Sequence, residues 1–327
     1  MLGYFIKRVC YALPILLGVN LITFFLFFVV NTPDDMARMH LGNKHVTTEQ
    51  ISRWKQVHGF LKPVFYNNKV SGIERVTDTL FYTKTLSLLR MDFGASMTGR
   101  DIASDIEQRM GPSLAIAVPT FFIGLAVNIS VALFVVLLKG SFIDTAAMML
   151  CVVLMSISGL FYIIFGQYWF AKVLQWVPVS GYHSGALAFK FLILPVVIGV
   201  LSGLGAGVRW YRTIFLEEMN KEYVKTARAK GLSDFLVLYR HVLSNALLPI
   251  LTGVVVIIPS LFMGSLIMES FFGIPGLGSY TLDAIAAQDF NIVRSMVFIG
   301  TVLYILGLLL TDLSYAWADP RIRIGKR

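Results

Sequence analysis

Six apolar runs, each at least 18 residues long and together holding one charged side chain (Asp312), limit what this chain can fold into. They cover residues 9–30, 113–138, 145–168, 191–208, 247–268 and 296–316. A helix needs about 20 residues, at 1.5 Å each, to cross roughly 30 Å of hydrocarbon. Lipid offers the backbone no hydrogen bonds, so spans of this length must be helical. The expected fold class is therefore an all-α integral membrane protein with six transmembrane helices. Only 14% of the 327 residues are charged, against about 25% in soluble domains. That excludes a cytosolic enzyme, and the scattered cations form no basic face for nucleic acid.

The first run exceeds the usual 7–15 apolar residues of a signal peptide and lacks a small-residue cleavage site, so we read it as a retained span. Cations then orient the chain. With the N-terminus inside, the inner pieces carry 14 lysines and arginines: Lys7, Arg8, Lys139, seven between spans four and five, and four in the tail. The short outer loops carry three, Lys172, Lys190 and Arg294. Positive charge favours the cytoplasmic side. The expectation is a multi-pass membrane protein with both termini cytoplasmic.

This divides the chain into residues 1–30 (N-terminus and first span), an extracytoplasmic segment over 31–112, and a five-span core over 113–327. The outer segment carries Trp54, Phe60, Phe65, Tyr66 and Phe81, enough for a small cap, and ends in an expected helix over 101–110. The inner segment 209–246 reads as two short helices. The first draws on the helix formers of 215–230, Gly231 makes the corner, and the second starts near Ser233, a suitable N-cap. Such a hairpin suits docking to a soluble partner.

Catalytic constellations are missing. No G-x-x-x-x-G-K-[ST], H-E-x-x-H or G-x-S-x-G occurs, and the five histidines (40, 45, 58, 183, 241) lack ligand spacing. Cys10 and Cys151 lie within apolar runs, where they read as packing residues rather than metal ligands. We expect a non-catalytic chain with no cofactor or metal of its own. Asp312 is isolated within its span, which weighs against a proton relay and an ion-coupled carrier or channel working alone.

The stretch Glu222-Tyr-Val-Lys-Thr-Ala-Arg-Ala-Lys-Gly-Leu-Ser-Asp234, followed by Arg240-His-Val-Leu-Ser-Asn-Ala-Leu-Leu-Pro249, resembles the cytoplasmic loop of ABC-importer permeases. It is most similar to the first permease of the dipeptide, oligopeptide and nickel type. The opening Phe5-Ile-Lys-Arg8 with Leu13-Pro-Ile-Leu-Leu-Gly-Val19 agrees, as do Asp92-Phe-Gly-Ala-Ser-Met97 and Val177-Pro-Val-Ser-Gly-Tyr182. Glu269-Ser-Phe-Phe-Gly-Ile-Pro-Gly-Leu-Gly278 and Ala318-Asp-Pro-Arg-Ile-Arg323 complete the series in order. Lys225-Thr-Ala227 stands where the general loop has Glu-Ala-Ala, and Ser244 where it has proline; both departures are similar to the peptide subgroup.

The resemblance implies a type I importer permease fold and transport of di- or oligopeptides, with nickel or another small solute as the alternative. It implies a second homologous permease, two cytoplasmic ATPase subunits that hold ATP and Mg²⁺, and an extracytoplasmic substrate-binding protein. It places ATPase coupling on Glu222, Thr226, Ala227, Arg228, Ala229, Lys230, Gly231 and Leu232, with Ala227 and Ala229 allowing close approach to a groove. Glu269, Phe272, Gly273, Pro275, Gly276 and Gly278 are expected to shape the outer mouth. Polar and small side chains within spans face protein or water rather than lipid. Asn128, Ser156, Ser158, Ser202, Thr252, Ser260 and Ser265 are accordingly the candidates for lining the path.

Overall fold

The computed structural model describes residues 2–42, 46–183 and 185–318, and the side chains of all of these except 2–9, 186 and 315–318. The tail cations Arg321, Arg323, Lys326 and Arg327, most of the 318–323 motif, and the Lys7 and Arg8 side chains lie outside the described set. Every regular element among the described residues is helical. The chain divides into two compact units, Met1–Gln108 with Thr281–Ile305, and Arg109–Tyr280 with Leu306–Arg327. By contact, the residues up to Gln108 share their unit with Thr281–Ile305, and one helix, Ile102–Leu137, runs across position 112.

The first unit holds α1 (Leu2–Phe25), which runs on through a wide turn to Val30, then α2 (Pro33–Leu41) and α3 (Thr48–Val57). α4 (Glu74–Thr77) and α5 (Leu80–Leu89) follow. Thr32 and Thr47 each close a capping box three residues ahead, with Asp35 and Gln50. Each box satisfies otherwise orphaned N–H groups and so starts its helix cleanly. Lys55 on α3 bridges to Asp34 on α2 at 2.7 Å. The core is aromatic: Phe24 stacks on Phe28 at 4.7 Å, and Trp54 stacks on both His58 and Phe60. Two cations rest on these rings, Lys84 over Phe60 and Arg294 over Phe28. The Asp92–Met97 motif is pinned by donors in both directions. Met97 N donates to Asp289 at 2.7 Å, and Asn291 Nδ2 donates to the Ala95 carbonyl at 3.1 Å.

The remaining helices are α6 (Ile102–Leu137), α7 (Phe142–Ser156), α8 (Gly159–Gly166, extended by a wide turn to Val173) and α9 (Ala188–Met219). After them come α10 (Glu222–Ala229), α11 (Asp234–Val237), α12 (Leu243–Ile257), α13 (Leu266–Phe272), α14 (Leu277–Ala286) and α15 (Phe290–Ala318). Among the described residues, five helical stretches are long and apolar enough to cross a membrane, and a sixth exists if the bent pair α7–α8 counts as one span.

Several expected boundaries move. The helix expected over 101–110 and the second span are one helix, α6, with Pro112 and Pro119 inside it. The third span bends by 88°, because Ile157 and Ser158 are both extended. The Tyr162 hydroxyl braces that bend by donating to the Leu154 carbonyl at 2.9 Å. The fourth span runs on through Met219, so residues 209–246 break at Asn220 rather than forming one helix over 215–230. The fifth span, continuous over Asp234–Met263, stops at Gly264, whose φ of +70° leaves helical space. Met268 and Glu269 therefore belong to α13 and not to a span.

Packing in the second unit is set by glycines on α9. A Cβ on Gly199 would strike Thr120, and one on Gly207 would strike Asn128. Both numbers rise together, so α6 and α9 run parallel. On the neighbouring face, Gly205 meets the Cys151 carbonyl and Arg212 pairs with Asp144, so α7 runs antiparallel to α9.

Candidate functional site

Three features of the second unit stand out, each assembled from distant sequence. The first surrounds Glu269, which is 1% exposed. Its Oε1 accepts from the Ser113 hydroxyl (2.8 Å) and from Ser265 N–H (3.0 Å). Its Oε2 accepts from Ser279 N–H at 3.0 Å. Ser113 in turn accepts from Leu277 N–H at 2.7 Å. A carboxylate taken out of water needs such donors. Gly264 and Gly276 leave room for it, since a Cβ on either would collide with the carboxylate.

The loop after α13 is bound equally well. Phe272 and Ile274 are buried with Ile116, Ile163 and Ile198. Gly181 N donates to the Phe272 carbonyl at 2.7 Å, and Gln167 Nε2 donates to both Val179 O and Phe271 O. The 177–182 and 269–278 stretches, far apart in sequence, are therefore bonded to each other. Of the residues expected to shape an outer mouth, Glu269, Phe272, Gly276 and Gly278 lie inside this knot, while Gly273 and Pro275 face outward.

The second feature is a groove walled by α6, α9 and the end of the fifth span. One cavity of about 350 Å³ reaches from Ser113 and Glu269 past Ser260 and Ser265 to Thr120 and Ser202. A second, of about 550 Å³, continues from Thr120 past Asn128 and Gly203 to Trp210. Both share Thr120, Phe121 and Gly199. The structure thus brings Asn128, Ser202, Ser260 and Ser265 together. Ser156, Ser158 and Thr252 do not line the groove. Ser156 and Thr252 donate to carbonyls one turn back on their own helices, and Ser158 sits at the α7–α8 bend. Sequence reasoning missed Thr120, Gly203 and Trp210. The spacing Gly199-x₃-Gly203-x₃-Gly207 is a small-residue signal for close helix approach; nothing local marked Thr120.

The third feature is the hairpin. α10 buries Val224 and Ala227 against Val237, Leu238, Val242 and Phe215. Its opposite face exposes Glu222, Lys225, Thr226, Ala229 and Lys230, spaced i, i+3, i+4, i+7, i+8. Gly231, at φ +80°, turns the corner with nothing within 4 Å of where a Cβ would be. Ser233 caps α11 through a long contact of 3.5 Å to Leu236 N. Arg228 pairs with Asp234 across the corner at 2.9 Å. Leu232 is half-buried. Ala227 is therefore not a point of close approach for another chain, as the sequence suggested. It faces the chain's own core, and Ala229 is the exposed alanine. The Tyr223 phenol, donating to Glu218 at 2.7 Å, is held well above its ordinary pKa by burial and by that carboxylate.

Among the described residues, no group of three or more His, Cys, Asp or Glu could hold a metal ion.

Comparison with known proteins follows the same lines. The family model described as the binding-protein-dependent transport system inner membrane component matches residues 129–324. Its N-terminal companion matches residues 1–74. A Brucella abortus permease protein, named for a peptide transport system, is 30% identical over 99% of both chains. The dipeptide transport system permease protein of Bacillus subtilis is 30% identical over 76% of this chain and 79% of its own. The oligopeptide transport system permease protein of the same organism is 27% identical over 98% and 99%.

Proposed function

The chain belongs to the family of binding-protein-dependent transport system inner membrane components, and on that premise we propose that it is a permease subunit of an ATP-driven peptide importer. In this reading it forms the translocation path together with a second homologous permease. Two cytoplasmic ATPase subunits bind ATP and Mg²⁺ and supply the energy. An extracytoplasmic binding protein delivers di- or oligopeptides, and this chain carries out no catalysis. It sits in the bacterial plasma membrane with both termini cytoplasmic and residues 31–112 outside.

The observation that carries the substrate is identity held across 99% of both chains to a relative named for peptide transport. The dipeptide and oligopeptide names of the two Bacillus relatives point the same way. Coupling is assigned to the exposed face of α10. A motor that pushes on spans needs a rigid contact, and the hairpin runs without interruption from Asp234 into the fifth span. Displacing α10 therefore moves a membrane helix directly. The groove beside Asn128, Ser202, Ser260 and Ser265 supplies this chain's wall of the path, and the Glu269 knot braces its outer end.

Purification in mild detergent from the native host is the first test. ATPase subunits and a second permease should accompany the chain, and the reconstituted complex should take up labelled tripeptides when binding protein and ATP are supplied. A chain that purifies alone and moves an ion unaided overturns the reading. Orientation is checked separately in a variant lacking Cys10 and Cys151. An impermeant thiol reagent should modify a cysteine at position 56, but not one at 226, in intact cells.

A further inference from the structure

The two buried groove-lining oxygens that lack a hydrogen-bond partner both belong to α6. Ser202 and Ser260 donate to carbonyls of their own helices, Gly199 O at 3.0 Å and Ile257 O at 2.7 Å. Thr120 Oγ1 and Asn128 Oδ1 are buried with no partner. Asn128 is 9% exposed, and its amide lies 2.5 Å from where a Gly207 Cβ would stand. A buried polar atom without a partner costs about 1–3 kcal/mol, so native chains seldom keep two on one wall without a reason.

The wall between them is open. Gly199 and Gly207 are covered by α6 side chains, but Gly203 has nothing within 4 Å of where its Cβ would be. The one charged side chain at the groove, Glu269, already accepts three hydrogen bonds from its own chain. A groove of this kind offers no ion pair to a charged side chain. It does offer an acceptor and a hydroxyl beside a strip of small residues. The two groups lie eight residues apart on one helix, about 12 Å along its axis, the length of three to four extended peptide residues.

We propose that Thr120 and Asn128 are a main-chain recognition step of the translocation path. A short swing of each side chain gives its oxygen to the amides of an extended peptide lying over Gly203, whatever the peptide's side chains. The unpartnered oxygens gain hydrogen bonds only when peptide is present, so the groove favours a passing peptide without reading its sequence. This inference rests on the permease reading above and adds the chemical group recognised and the residues that recognise it.

The test uses the full complex in proteoliposomes, with tripeptides carrying a central lysine, glutamate or leucine, each at saturating binding protein. Thr120→Val and Asn128→Ala should each lower uptake about three- to tenfold, the range of one lost hydrogen bond, and by the same factor for all three peptides. Gly203→Leu fills open space, so the complex should assemble and lose uptake altogether. Unchanged uptake in all three variants overturns the proposal. So does a loss confined to one peptide, which marks side-chain recognition. Failure of Gly203→Leu to pair with the second permease also overturns it, since the groove is then filled by a neighbouring helix. A wild-type complex that moves some other solute and no peptide is a different failure: it removes the functional reading and this inference with it.

Discussion

Ser113 and Glu269, 156 residues apart in the chain, share a buried hydrogen bond of 2.8 Å. Ser113 also accepts from Leu277 N–H, so one hydroxyl ties the start of the second span to α13 and α14. Glu269→Gln keeps the shape but sets an amide N–H against a backbone donor, whichever way the amide turns. We expect a loss of about 1–3 kcal/mol, read as a lower thermal midpoint of the purified complex. Ser113→Ala should show a loss of similar size. An unchanged midpoint in both would mean that the knot does not brace the unit.

Gly231 adopts φ +80° with empty space around it, so only backbone strain opposes a side chain there. The left-handed conformation costs an L-residue about 1–2 kcal/mol, and asparagine tolerates it best. If α10 couples as proposed, Gly231→Val should leave insertion and assembly of the complex intact while abolishing uptake. Gly231→Asn should retain most of it. Ala229→Trp, on the exposed face, should weaken ATPase docking without lowering the chain's own stability. Ala227→Asp should lower that stability, because it places a carboxylate among Val224, Val237 and Leu238. Normal substrate-stimulated ATP hydrolysis in the Gly231→Val and Ala229→Trp complexes would show that coupling lies elsewhere.

Asp144 and Arg212 form a mostly buried pair, with Asp144 Oδ1 and Oδ2 accepting from Arg212 at 3.0 and 2.9 Å. Removing one member strands the other. Asp144→Ala should cost about 3 kcal/mol, and the double change Asp144→Leu with Arg212→Met should recover most of it. Chemical denaturation in detergent measures both. If the double variant is as unstable as the single one, the pair's charge is not what destabilises Asp144→Ala.

Lys84 lies beside Arg294 and over the Phe60 ring, and burial, followed by the Arg294 charge, pulls its pKa from an ordinary 10.5 down to about 8. Unfolded, the amine holds its proton up to about 10.5; folded, it releases it near 8. Between those values the unfolded chain binds more protons, so stability must rise with pH. Below about 8 the full cost of the buried charge is present. The thermal midpoint of the wild type should climb from pH 7.5 to 10 relative to Lys84→Met. Parallel curves for the two proteins would contradict this.

The spans were legible from sequence because a run of uncharged residues is a local property, and hydrocarbon imposes one backbone answer on it. The Gly231 corner and the Ser233 cap were legible for the same reason: each is a residue type answering a local backbone need. Where the spans bend or stop was harder. The breaks at Ile157–Ser158 and Gly264 interrupt apolar sequence without any change in composition, and the contacts that hold them, Tyr162 to Leu154 and Glu269 to Ser265, appear only in the fold.

Tertiary structure alone decided which way side chains face. Ala227 and Ala229 are the same residue two positions apart, yet one is 5% exposed and belongs to the buried core while the other faces outward. Ser156, Ser202 and Thr252 are alike as polar residues in spans, but only Ser202 lines the groove. Sequence by itself determined six apolar runs, the charged stretch with its corner at Gly231, and the residues available to each. Neighbours from other helices determined the groove, the partners of Glu269 and the two unpartnered oxygens of α6. A helix has a face in every direction, and only packing chooses which of them is buried.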